Sequence, residues 1–296
     1  MGLKVWFLET RPRFLLLPPV VSFLGNSISW YMGTFSWGYG FLSFLGLLLL
    51  HVSTNLLNDY FDYRNGIDME TERTKFSGGS GLLTRGFLNP GHVFWVGFSC
   101  FLLVLPIGLY FILARGLLLL PLLLAGAVCV LFYTPLITRV PWPEWAPGVG
   151  LGYLPILGIY FVQNGTLTIP VAIVSIPSGI LVHNLLLLNE FPDVQADERG
   201  GRKTLPVIIG KEKTGIVFSV LIIFVYFWII VSVIAGIMPP FCLISFVSLP
   251  LAKKSIQGAL KPPKETIQLV TPMKNNTMLV LSIQILLGIG YILAGF

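Results

Sequence analysis

Charge is what this sequence has least of. Asp, Glu, Lys and Arg make up only 11% of its 296 residues, against 55% hydrophobic. That excludes an ordinary soluble domain, in which about a quarter of the residues are charged. Cysteine is scarce as well. Cys100, Cys129 and Cys242 all fall in apolar stretches, with neither metal-ligand spacing nor a disulfide framework. The histidines His51, His92 and His183 share no ligand spacing and read as packing or interface residues. The D-G-x-x-A-R signature of membrane phosphotransferases that act on CDP-alcohols is missing. No small-residue cleavage site follows the first apolar segment, so that segment is expected to stay as a span and not to be removed as a signal peptide. No organelle-targeting extension precedes it, which points to the plasma (inner) membrane. The net charge of +6 does not argue for nucleic acid, because the placement of the charges accounts for it.

What is present is a series of apolar stretches of the length, roughly 20 residues, that carries a helix across a bilayer. About nine can be drawn, at roughly 14–34, 41–61, 92–113, 116–134, 147–163, 168–190, 214–236, 239–252 and 276–295. The expected fold is therefore all-α, a polytopic membrane helix bundle. The eighth segment is the weakest, being interrupted by Pro239, Pro240 and Pro250. With the spans numbered this way the charges segregate. Lys and Arg fall before the first span or in alternate connections, with Arg115 the exception, and every Asp and Glu lies on that same side. The positive-inside rule makes this side cytoplasmic, with the N-terminus inside. Arg115, alone on the far face, is expected to tolerate replacement by Ala without effect.

Two of the spans end in the same pattern. The first copy, N-L-L-N-D-Y-F-D, carries Asn55, Asp59 and Asp62; the second, N-E-F-P-D-V-Q-A-D, carries Asn189, Asp193 and Asp197. Residues four and seven or eight apart share a helix face, so each copy presents an amide and two carboxylates as one stripe. Carboxylates gathered at a membrane boundary repel one another and are costly to desolvate. Mg²⁺ makes such a cluster tolerable, and it commonly shares carboxylates with substrate phosphates. The expectation is two acidic walls facing across a cleft, with Asn55, Asp59, Asp62, Asn189, Asp193 and Asp197 as metal ligands and two Mg²⁺ ions between them.

The basic residues supply the other half of a diphosphate site. Arg64 and Lys75 follow the first motif, Arg202 and Lys203 the second, Arg11 precedes the first span, and Arg139 lies between the fourth and fifth. Asp68 could add a ligand or cap a short helix after Gly66. S-G-G-S-G at 77–81 could form a backbone nest for phosphate or a flexible linker. Pro192 should break the helix between Asn189 and Asp193. Both motif-bearing connections are long, which suggests structured cytoplasmic caps over the cleft. Tyr133 heads a set of aromatics near that side (with Tyr60, Phe61, Phe132, Tyr153, Tyr160 and Phe161) whose π faces could stabilise a carbocation. The two motif copies suggest one transmembrane domain over 1–296 built from two pseudo-repeated halves, about 1–134 and 135–296.

The paired motifs, the R-K-T-L-P-V that follows the second, and the span count resemble the UbiA superfamily of intramembrane prenyltransferases. Within it, N-D-Y-F-D-Y-R-N-G-I-D, S-G-G-S-G-L-L-T-R-G and R-P-R-F-L-L-L-P-P-V look most like the 1,4-dihydroxy-2-naphthoate prenyltransferases of menaquinone synthesis. The first motif departs from the second in having D-x-x-D and not D-x-x-x-D spacing. The resemblance implies a polyprenyl diphosphate held by Mg²⁺ between the acidic walls, ionised to an allylic cation, and attacked by an aromatic acceptor within the lipid bilayer. Asp59, Asp62, Asp193 and Asp197 would be catalytic, and Asn55, Asn189, Arg64, Asp68, Lys75, Arg139, Arg202, Lys203, Arg11 and Tyr133 would contact substrate. No nucleic acid is implied. Other acceptors stay open: 4-hydroxybenzoate, homogentisate, a porphyrin-type ring or a glycerol-phosphate lipid. A cation-coupled transporter is the rival from another class, though no carboxylate falls at mid-membrane or on the outer side to complete a path.

Overall fold

The computed structural model describes residues 2–263 and 265–296. Among them every regular element is helical. Among the described residues, seven helices are long and apolar enough to cross a membrane: Phe14–Tyr31, Trp37–Arg64, Pro90–Arg115, Trp145–Asn164, Ile169–Asn189, Leu205–Ile234 and Thr266–Ala294. We label the α-helices in chain order: α1 Leu3–Glu9, α2 Leu17–Tyr31, α3 Trp37–Arg64, α4 Ile67–Glu70, α5 Pro90–Arg115, α6 Leu119–Leu131, α7 Trp145–Pro147, α8 Leu154–Asn164, α9 Ile169–Asn189, α10 Val194–Arg199, α11 Leu205–Ile234, α12 Leu249–Leu260 and α13 Thr266–Ala294.

The segments expected as the fourth and eighth spans are shorter or broken. Gly116, at φ 107, ends α5, and the chain re-enters as the 13-residue α6. The eighth begins as a 3-10 helix over Pro240–Ser248, behind a proline pair that removes backbone donors, and becomes α-helical only at Leu249. The seventh starts at Leu205, earlier than hydropathy suggested, because Gly210 (φ 81, ψ 157) kinks α11 and its first turns carry Lys211 and Lys213. Local signals account for several boundaries. Asn89 caps α5 by accepting from the Gly91 N–H at 2.8 Å, with Pro90 in the first turn. Thr168 caps α9 in the same manner.

Because lipid is as apolar as leucine, helices in a bilayer associate through close backbone approach and polar contacts. Gly148 and Gly152 lie on a π-helical stretch, Gly148–Tyr153, that presses on α9. A Cβ on Gly148 would lie 2.9 Å from the Gly179 carbonyl oxygen, and one on Gly152 2.6 Å from that of Ser178. Asn184 donates to the Phe218 carbonyl of α11 at 3.0 Å, and Asn276 of α13 donates to the Asn184 carbonyl at 2.9 Å. These contacts hold α9 in the middle of the bundle, and its last residue, Asn189, is buried at the end where α3 delivers Asp59 and Asp62.

Candidate active site

The last turns of α3 carry the first motif. Asp59 is 1% exposed and fully engaged: Oδ1 accepts from Arg11 at 3.3 Å, and Oδ2 accepts the Ser80 backbone N–H at 2.8 Å. Arg11 also donates to Asn58 Oδ1 at 2.9 Å and lies over the Phe14 ring. Its φ of 55 is a left-handed conformation that a non-glycine residue adopts only where the surroundings impose it. Asn58 Nδ2 donates to Asp62 Oδ2 and to Thr134 Oγ1, each at 3.1 Å. Asn55 turns its amide to the Thr10 carbonyl at 2.9 Å.

The second motif is broken as Pro192 requires. Helix α9 ends at Asn189, a turn follows, and α10 begins at Val194. Asp197, 1% exposed, accepts from Arg202 Nη1 at 3.1 Å, while Arg202 Nη2 donates to Asp62 Oδ1. One guanidinium thus joins the two acidic stripes.

Between the stripes lies a cavity of about 160 Å³. Its polar wall is formed by Arg11, Asn55, Asn58, Asp62, Asp68, Tyr133, Asn189, Asp193, Asp197 and Arg202. Phe14, Leu17, Val130, Leu151, Val182 and Leu185 form its apolar wall. Asp59 stands behind this wall, covered by Arg11 and Ser80. Segment 77–81 is no free linker: Ser77, Gly78 and Gly79 line the cavity, with positive φ at Gly78, Gly79 and Gly81. Asp68 lies within the first turn of α4, after Gly66 in the left-handed region. Four of the basic residues expected at the site are exposed and are not brought to the cavity wall. Arg64 donates to Tyr60 Oη at 3.0 Å, Lys75 offers its carbonyl to Arg13, and Arg139 and Lys203 meet solvent. Of the histidines, His183 accepts from Trp142 Nε1, whereas His51 lines the cavity with Nδ1 unpartnered.

Sequence reasoning passed over Asn58, Glu9, Glu144 and Glu190. Asn58 lies on the same helix face, three residues after Asn55 and four before Asp62, and that spacing could have found it. Glu9 and Glu144 are single acids in their segments, so no pattern marked them, whereas Glu190 lies inside the second motif beside Asn189, a signal that could have found it. Glu144 is fully buried and accepts the Leu205 N–H at 2.6 Å. Burial and the neighbouring Glu144 push the Glu190 carboxyl well above the usual carboxylate range. Burial, then Asp59 nearby, raise Glu9 to about 7, and burial, then Asp62 and Asp59, raise Asp68 to about 7. Asp193 and Asp197 move the same way, first through burial. Burial disfavours the charge of Arg202, but Asp62 and Asp197 outweigh it and hold the guanidinium protonated.

Among the described residues, no three acidic, histidine or cysteine side chains converge at metal-ligand spacing, because Arg11 and Arg202 stand between the acids. Oxygens suited to a hard cation are nevertheless present. Asn189 Oδ1, Glu190 Oε2 and Asp193 Oδ1 are buried with no hydrogen-bond partner. A buried acceptor left in this state is costly. Carboxylate and amide oxygens are the donors Mg²⁺ takes, so the residues fit that ion.

The profile of the UbiA prenyltransferase family matches residues 16–274. The chain is 26% identical to a 1,4-dihydroxy-2-naphthoate octaprenyltransferase of Bacillus subtilis, covering 100% of this chain and 94% of that protein. It is also 26% identical to a digeranylgeranylglyceryl phosphate synthase of Thermococcus gammatolerans, over 81% of this chain and 79% of that one. In fold it is similar to a UbiA homolog from Archaeoglobus fulgidus bound to DMAPP and Mg²⁺, with a TM-score of 0.64, 14% identity, and coverage of 97% of this chain and 98% of that one.

Proposed function

The chain belongs to the UbiA prenyltransferase family, and from that premise we propose that it transfers a polyprenyl group from its diphosphate to 1,4-dihydroxy-2-naphthoate. That it is a membrane prenyltransferase follows from the family and the seven spans. The observation that carries the reading is the cavity between the motifs, where Arg202 faces acids of both stripes and Asn189, Glu190 and Asp193 present unpartnered oxygens.

Asn55, Asp62, Asp68, Asn189, Asp193 and Asp197 would hold two Mg²⁺ ions, with Asp59 behind them fixing Arg11. When bound, Mg²⁺ neutralises the charge of the diphosphate and makes it a better leaving group. Arg11 and Arg202 donate to the departing phosphate oxygens, for which the planar guanidinium is suited. Breaking the C1–O bond leaves an allylic cation. Phe14, Leu17, Val182 and Leu185 keep water from it, and Tyr133 faces the same space. The carboxylate-bearing carbon of the naphthoate ring attacks C1, and carbon dioxide leaves in place of a proton as the ring regains its aromaticity. The charge distribution supports a cleft on the cytoplasmic side of the membrane, with segments 65–89 and 190–204 as its caps and each half of the chain giving one wall.

A glycerol-phosphate lipid acceptor is the second reading, supported by the Thermococcus relative at equal identity; the fuller coverage of the Bacillus relative favours the naphthoate. Diphosphate release by purified protein from geranyl diphosphate, with and without Mg²⁺, tests the donor half. Release that needs Mg²⁺ and is lost in Asp193→Asn supports it. No release with any acceptor contradicts it.

A further inference from the structure

Trp142 and Glu144 lie on the connection 132–144 between α6 and α7, outside the wall of the acid cavity. We infer that this connection is a brace that positions Arg202, with Trp142 and Glu144 as its positioning residues. The inference rests on the prenyl diphosphate reading above.

Arg202 needs support from outside its own segment. It follows Gly200 and Gly201, the second at φ 74, a conformation that glycine adopts without steric cost. Helix α10 has ended at Arg199, and α11 begins only at Leu205. Its guanidinium is held by Asp62 and Asp197. A guanidinium that donates to a departing diphosphate gives up part of those bonds. The backbone beside it then decides where it stands.

The connection 132–144 supplies that support. Both backbone groups of Lys203, the next residue, are bound to it. The Lys203 N–H donates to the Thr138 carbonyl at 2.8 Å, and the Lys203 carbonyl accepts the Trp142 N–H at 3.1 Å. Glu144 Oε1 accepts the Leu205 N–H at 2.6 Å, in the first turn of α11. The free N–H groups at a helix start favour such an acceptor, and Glu144 is fully buried, so water does not compete for the bond. Three hydrogen bonds thus fix the chain within three residues of Arg202.

The brace is stiff and is anchored at both ends. Pro141 and Pro143 flank Trp142, so the Trp142 N–H is the one backbone donor in 141–143, and Lys203 receives it. Trp142 lies at φ 62, although a residue before proline ordinarily takes extended backbone. Such a conformation persists only where the surroundings impose it. Here the indole Nε1 donates to His183 Nε2 of α9 at 2.8 Å. At the other end, Thr138 Oγ1 donates to the Thr134 carbonyl at 2.8 Å, and Thr134 Oγ1 accepts from Asn58 of α3 at 3.1 Å. The brace is therefore tied to the two helices that carry the motifs, and it sets Arg202 between them.

The test is a double-variant cycle on full-length protein in detergent. It reads affinity, with Mg²⁺ in excess, for a geranyl diphosphate analogue whose bridging oxygen is replaced by sulfur, which resists ionisation. Glu144→Ala and Trp142→Phe should each weaken binding by about three- to tenfold, the scale of one hydrogen bond. Glu144→Gln keeps an acceptor at Oε1 and should restore binding. In an Arg202→Gln background, which leaves a donor between the acids but no guanidinium, neither substitution should weaken binding further, because the brace acts through that group. A residue that merely stabilised the fold would add its loss in both backgrounds. Trp142→Phe keeps the ring and its packing, so it reads the brace even where Glu144→Ala folds poorly. Losses that persist in the Arg202→Gln background, or unchanged binding in Trp142→Phe and Glu144→Ala, overturn the inference and leave the donor reading standing. Failure of the unsubstituted protein to bind the analogue removes both.

Discussion

Arg202 shows at the scale of one residue how the site is held together. Its guanidinium is the shared counter-charge of Asp62 and Asp197, with side-chain exposures of 13%, 9% and 1%. Removing it leaves two buried carboxylates facing each other, and breaking such a buried pair costs about 3–5 kcal/mol. Arg202→Ala should therefore lower the Tm by several degrees as well as abolish turnover, measured by thermal unfolding in detergent beside an activity assay. Asp193→Ala separates these effects: it should abolish turnover while leaving the unfolding temperature near that of the unsubstituted protein, because Asp193 Oδ1 has no partner to lose. Asp59→Ala should also abolish turnover, and it removes the acceptor that fixes Arg11. Glu9 offers a pH test. Its carboxyl is raised from 4.5 to about 7 by burial and Asp59, so the folded protein holds that proton more firmly than the unfolded chain. Its stabilising contribution is full below 4.5 and is lost as the pH rises to about 7. Stability should fall across that window, and Glu9→Gln should flatten the fall; an unchanged slope in the variant would show that another group is responsible. The acids of the repeated motifs were legible in the sequence because periodicity marks them. Glu9 and Glu144 were not, since burial by a distant segment leaves no local pattern; Asn58 and Glu190 sit within the motifs themselves, and their spacing carried a signal. Nearness in sequence also misled for Arg64, Lys75, Arg139 and Lys203, because the number of a residue does not fix where its side chain points.

At the scale of elements, hydropathy located the spans and missed their breaks. Mean apolarity does not register the Gly210 kink, the stop at Gly116 or the 3-10 start at Pro240, all of which are backbone events. Arg115 is the clearest case of an element contact hidden from the sequence. Its isolation suggested that it was dispensable, yet it clamps two carbonyls of α8 and lies 4.5 Å over the Tyr39 ring. Hydrogen bonds from a charged donor contribute about 1.5–3 kcal/mol each. Arg115→Ala should thus destabilise the packing of α5 against α8, seen as a lower Tm, whereas an unchanged Tm would restore the view from sequence. Gly152 gives a second test. Its Cβ would meet the Ser178 carbonyl at 2.6 Å, so Gly152→Ala should push the π-helical stretch off α9 and reduce stability by about 1–3 kcal/mol, read by unfolding in detergent.

At the scale of the whole molecule, the segregation of charge carried most of the information. Acids and most cations were expected at one end of the bundle, and the cavity that joins the two motifs lies there, with Phe14, Leu17, Val182 and Leu185 among its apolar lining. The most direct measurement is product identification after purified protein meets geranyl diphosphate, Mg²⁺, and equal amounts of 1,4-dihydroxy-2-naphthoate and 4-hydroxybenzoate. The account predicts a prenylated naphthoate that has lost carbon dioxide, formed only when Mg²⁺ is present. Prenylation of the benzoate alone, or no prenylated product from well-folded protein, would contradict it.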